Sequence, residues 1–225
     1  MVNALWVDGW AMNGNLRIFF GVLLLLVSFV TYSQPRNNIS CGINKGYPLT
    51  NAYGPFDYTN PSHASEIPRV LSSHFTPIVE RLIAGTGNPT PYGDIDYTLR
   101  AIPNYHRALF AMSKLQIRDK TLNTVTTKFY SASCYFERAI YFQPKDAVVR
   151  MLYGLHLHRV GELESALKRY KEALLLDPDN PEFNYNIGLL YVDLKDKDSA
   201  VKHAKIATLN GYPLDGLNNK INRMD

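Results

Sequence analysis

Beyond residue 103 the apolar positions of this chain recur at helical spacing and, over a longer distance, with a period of 34 residues. Pro144 and Pro178 are 34 residues apart, and so are Ala132, Ala166 and Ala200. The same offset links Ala139, Ala173 and Ala207, Phe136 and Tyr170, Gly154 and Gly188, and Leu157 and Tyr191. Each period holds two amphipathic stretches. Small residues stand where two helix backbones approach, larger apolar residues fill between them, and a proline stops the second helix. Gly161 predicts the end of one helix, and Glu162-Leu163-Glu164 the acidic start of the next. The units fall at about 104–146, 147–180 and 181–214. In the first, a helix from about Asn104 to Ile117 is displaced from its partner by a Thr-rich insertion, Thr121 to Thr127. After Gly211 and Pro213, Leu214, Leu217 and Ile221 share one face. That predicts a short helix, Asp215 to Arg223, capping the apolar edge of the last unit around Ile206 and Leu209.

Upstream the pattern differs. Residues 34–103 are rich in proline and tyrosine, with eight prolines between Gly42 and Pro103. Such spacing predicts extended and turn structure with one or two short helices. Thr76 and Pro77 open one helix, whose face is Ile78, Val79, Leu82 and Ile83 and whose end is Gly85. A second runs over Asp94 to Arg100, with Asp94 and Asp96 favoured at its positive end. Whether these helices form a further pair stays open.

Ile18 to Tyr32 is an uncharged run of 15 residues behind Arg17. That length suits the apolar region of a secretory signal better than the ~20 residues that cross a bilayer. Residues 1–33 thus read as a signal peptide, cleaved before Gln34, or as a retained N-terminal anchor. Translation from Met12 instead of Met1 also stays open. The expected location is exported, in the periplasm, with anchoring to the inner membrane through residues 18–32 as the alternative.

The unit 147–180, with Tyr153-Gly154, Leu157, Ala166, Tyr170, Ala173 and Pro178, resembles the tetratricopeptide repeat (TPR) family. It departs in carrying Tyr153 where Leu is usual and Arg150 in place of Trp. The unit 181–214 matches through Ala207 and then diverges at Gly211-Tyr212-Pro213. The resemblance implies an all-α helix-turn-helix solenoid whose concave wall, lined by the first helix of each pair, holds peptides or partner proteins without chemistry of its own. The family's groove positions fall on Met151, Leu155, His158 and Arg159, then on Tyr185, Asn186, Leu189, Val192 and Asp193. Asn186 carries over a hydrogen bond to a ligand backbone or carboxylate. Against this stands a plainer reading, in which Asn186 faces solvent or the C-terminal segment fills the groove.

Composition changes little: 46% hydrophobic and 20% charged residues suit a chain with a core, and the net charge of +4 is not gathered into a basic block. Nucleic acid is therefore not the expected partner. No motif for nucleophilic catalysis, phosphate cradling or metal binding occurs, and no cofactor is expected. His156 and His158, two apart on a helix, point about 200° apart and do not chelate one ion. The two cysteines, Cys41 and Cys134, are too few for a disulfide scaffold. In an oxidising compartment they pair, tying the N-terminal segment to a later helix; otherwise Cys134 is a buried thiol and Cys41 an exposed one. The sequence thus favours an exported interaction module or assembly scaffold that binds a protein or peptide of the cell envelope. The alternative is an exported enzyme with its site in residues 41–103 and the repeats as accessory.

Overall fold

The computed structural model describes residues 41–121 and 129–224. The segment 18–32, the cleavage position before Gln34 and most of the Thr-rich insertion lie outside the described residues. Among those described are ten α-helices and no β-strand. They are α1 (Ile67–His74), α2 (Pro77–Glu80), α3 (Tyr92–Ala101), α4 (His106–Arg118), α5 (Ala132–Phe142), α6 (Ala147–Arg159), α7 (Leu163–Leu176), α8 (Pro181–Asp193), α9 (Lys197–Leu209) and α10 (Gly216–Ile221). None is long and apolar enough to cross a membrane.

Side-chain caps fix four of the six helix starts downstream of the insertion. Ser131 accepts from the Cys134 N–H at the start of α5, Asp146 from Val149 at α6, Asn180 from Glu182 and Phe183 at α8, and Asp196 from Ser199 at α9. Gly161 turns the chain between α6 and α7 with a positive φ of 85°, where the equivalent turn of the next unit uses Lys195 at 63°. Helices α4–α5, α6–α7 and α8–α9 form successive pairs, and α4, α6 and α8 lie in sequence along the stack. Gly154 marks the closest approach within a pair: a Cβ there would stand 2.7 Å from the ring of the buried Tyr170.

Upstream of α4 the structure corrects several expectations. Helix α1 runs against the expectation that dense proline breaks helices; Pro68 occupies its first turn, where no backbone N–H is needed, and Ile67 and Val70 are buried. Helix α2 ends at Glu80 rather than running to Gly85, since Leu82 turns to a positive φ of 60°. Val79 and Leu82 reach the core, but Ile78 and Ile83 are 48% and 62% exposed. Helix α3 starts at Tyr92, two residues before the expected Asp94, which lies in its first turn as expected, but neither Asp94 nor Asp96 makes a cap hydrogen bond. Asp94 faces His74 Nδ1 at 3.0 Å and accepts from the Thr86 N–H at 2.7 Å, while Asp96 accepts from the Tyr135 hydroxyl at 2.6 Å and Arg100 Nε at 3.0 Å. Both are buried ties between elements. Helix α3 packs between α1 and α4, so α1 and α3 extend the stack by one irregular pair.

Residues 41–60 lie over this end as a strap. Cys41 and Cys134 form a disulfide with Cα atoms 5.1 Å apart. Arg138 donates to the carbonyls of Cys41 and Gly42 at 3.1 and 3.3 Å, and Tyr141 to those of Asn44 and Tyr47 at 3.2 and 2.8 Å. Buried Asn104 accepts from the Tyr58 N–H at 2.9 Å and donates to Asp57 and Asp146 at 2.8 and 3.2 Å. These bonds satisfy polar backbone that an irregular segment could not pair within itself.

At the other end, α10 packs on α8 and α9 through the buried Leu217 and Ile221. Gly188 admits it, because a Cβ there would meet the Leu217 side chain at 2.5 Å. The region expected under this cap is only partly covered. Leu209 is 74% exposed and Leu214 57%; the helix sits over Val192, Ala200 and Ala204 instead.

Candidate functional site

The first helices α4, α6 and α8 form one continuous wall because side chains bridge each step. Between α4 and α6, the Arg159 guanidinium lies 5.1 Å from the centre of the Phe110 ring. Lys114 approaches the same ring at 5.5 Å, so two cations stand at one aromatic ring. Between α6 and α8, His158 Nε2 meets Asp193 Oδ2 at 2.7 Å, and Asn186 Nδ2 lies 3.9 Å from Met151 Sδ. Spacing on the helices explains the arrangement: Phe110 and Lys114 are i, i+4, as are Leu155 and Arg159, and each pair shares a face.

The structure distributes the nine sequence-derived wall residues unevenly. Leu155, His158 and Asn186 are half-buried, and Arg159 and Asp193 are exposed. Met151 and Val192 are buried. Asn186 Nδ2 also donates to the Glu182 carbonyl at 2.9 Å, which fixes its side chain on the helix. Tyr185 stacks on Tyr212 with ring centres 4.2 Å apart, and its hydroxyl abuts Gly216. Leu189 packs into the cluster that holds Leu217 and Ile221. The C-terminal segment therefore occupies the α8 end of the wall, and at the α4–α6 end Lys114 and Arg159 are exposed among the described residues. Phe110 and Lys114 escaped the sequence reading. Their helix belongs to the unit whose phase is broken by the insertion, so the 34-residue period does not reach them.

Behind the wall, His156 is 2% exposed and joins three helices. Its Nδ1 lies 2.9 Å from Ser113 Oγ on α4 and its Nε2 3.4 Å from Ser133 Oγ on α5. Burial, with the Arg159 charge adding to it, pushes its pKa down to about 4. It is a neutral connector sealed from solvent, so its geometry carries structure and not proton transfer to a ligand. Among the described residues no three His, Cys, Asp or Glu side chains gather as a metal site. A groove of about 370 Å³ lies between α9 and α10, lined by Val201, Ala204, Lys205 and Leu209 among others.

Residues 154–195 match the family model described as TPR repeat. BBSome complex member BBS4 of Mus musculus is 35% identical over 74 residues, which cover 33% of this chain and 14% of that protein. The chain thus matches only a small part of that relative's length. Among solved structures, a crystal structure of MamA aligns at 18% identity with a TM-score of 0.43, covering 68% of this chain and 95% of that one. TTC0263, a thermophilic TPR protein of Thermus thermophilus, aligns at 18% identity and a TM-score of 0.35, covering 60% and 88%.

Proposed function

We infer that this tetratricopeptide-repeat chain is an exported interaction module, without chemistry of its own, that holds an acidic extended segment of a cell-envelope protein on its first-helix wall. The observation that carries the reading is the Phe110 ring flanked by Lys114 and Arg159, beside the half-buried Leu155 and Asn186. Two cations at one aromatic ring suit a carboxylate, and an apolar neighbour suits the residue beside it. The Cys41–Cys134 disulfide supports an oxidising compartment, since such bonds are rare in reducing cytosol. In the periplasm the chain stands free after cleavage before Gln34; retained, residues 18–32 anchor it to the inner membrane.

The test uses the full chain and two sets of short extended peptides, one acidic and one with each carboxylate replaced by its amide. The acidic set should bind, weaken as salt rises, and lose at least about tenfold in affinity on Lys114→Glu/Arg159→Glu, the scale of one or two charge-assisted contacts. Equal binding of both sets, or a double variant with unchanged affinity, would remove this reading.

A further inference from the structure

The 34-residue period also repeats outside the core, on the outer face of the second helices. On α7, Lys168, Lys171 and Leu175 follow at i, i+3 and i+7, and on α9 Lys202, Lys205 and Leu209 do the same. Each triplet lies within about 60° of arc, so each is one stripe along its helix. Corresponding members are 34 residues apart, hence the stripes share a phase on consecutive helices that run the same way. Lys171 of the first stripe and Lys202 of the second both act on His203, helping to lower its pKa after the larger effect of its burial.

All six side chains are exposed, and the leucines strongly so, at 83% for Leu175 and 74% for Leu209. Among the described residues no hydrogen bond or ion pair engages any of the four lysines. Acidic neighbours offset them only in part. Glu172 is held by Arg169 at 3.0 Å, and each stripe begins with one acid, Glu164 or Asp198, four residues before its first lysine, so each stripe keeps one net positive charge.

We propose that this outer face of α7 and α9 is a docking surface for an anionic lipid bilayer, with the four lysines over the headgroups and Leu175 and Leu209 inserted between them. Charge complementarity supplies the attraction, and lysine stems reach past a bilayer surface while their ammonium groups stay wet. Shape favours lipid over an acidic protein helix. A helix in a groove needs an apolar seam sustained at i, i+3, i+4 and i+7, whereas the α7 stripe has one bare leucine at its end; on α9, Lys205 and Leu209 also border the groove against α10. The proposal is independent of the first-helix wall, which lies on other helices and other residues.

The experiment is vesicle co-sedimentation of the full chain. One vesicle set is pure phosphatidylcholine; the other mixes it equally with phosphatidylglycerol. The wild type should partition preferentially onto the anionic set and be released by salt. Replacing all four lysines by Gln should cut that preference by two to three orders of magnitude, from about fivefold per lysine. Leu175→Ser/Leu209→Ser, which leaves the charge unchanged, should cut the affinity for the anionic set itself by about tenfold or more. Melting temperatures should stay at the wild-type value, because every altered side chain is exposed. Equal partitioning onto both vesicle sets, or a lysine variant that binds as the wild type does, overturns the proposal. If polyglutamate displaces the protein and the leucine variant binds unchanged, the face is a site for acidic protein and the lipid assignment falls.

Discussion

Acid should unfold this protein through His156 before most of its carboxylates protonate. The imidazole is buried between Ser113 and Ser133, and burial holds its pKa near 4 against 6.5 in an open chain. Between those values the unfolded state binds the proton and the folded state does not, so stability is complete above the unfolded value and falls as pH drops toward the folded one. Integrating over the interval gives a loss of about 3 kcal/mol between about pH 7 and pH 4, a large share of a typical 5–15 kcal/mol. His203, whose pKa is also lowered by burial and by Lys202 and Lys171, adds to the loss with the same sign. Urea unfolding curves of wild type and His156→Gln, recorded at several pH values across this range, separate the two contributions. The variant should start less stable at neutral pH and fall less steeply. Parallel curves for the two proteins would refute the argument, because the steep part would then belong to other groups.

Gly154→Ala should cost about 1–3 kcal/mol in urea unfolding, since the added Cβ would stand 2.7 Å from the fully buried Tyr170 ring. Gly188→Ala should cost less, because its clash is with the end of the Leu217 side chain, which can rotate, and alanine favours the helix by about 1 kcal/mol. Reducing the Cys41–Cys134 bond, or replacing both residues by Ser, removes a crosslink across 93 residues and should lower stability by up to about 4–5 kcal/mol in the chain-entropy model. An unchanged melting temperature with and without reductant would show that the strap's hydrogen bonds and packing hold it without the crosslink.

Local rules are strong where the chain repeats. Ala166, Tyr170, Ala173 and Gly154 recur in phase because two helices must meet at the same distance in every unit, and that distance selects residue size. Helices α6 to α9 were legible for this reason, and the left-handed turn at Gly161 was legible with them. Upstream, the same rules misled. Proline inside the first turn of α1 starts a helix rather than breaking one, and Asp94 and Asp96 have local reasons to cap α3 yet serve His74 and Tyr135 instead.

The wall shows the same division. Periodicity placed Leu155, His158, Arg159 and Asn186 on first helices, because position along a helix sets the face a side chain takes. It missed Phe110 and Lys114, whose helix is out of phase, and it left as the plainer alternative what happens at Tyr185 and Leu189, which meet the C-terminal segment. The sequence by itself determined which helices form from α6 to α9, how they pair, and which of their faces turn inward, since these depend on contacts a few residues or one repeat apart; it also offered the tie from Cys41 to Cys134 and a C-terminal cap on the last unit. Only the tertiary structure decided that α1 packs on α3, that Asp94 and Asp96 tie to His74 and Tyr135, that α10 sits over Val192, Ala200 and Ala204 rather than Leu209, and that Phe110 meets Arg159. Those outcomes rest on contacts between residues far apart in the chain, and no period in the sequence encodes them.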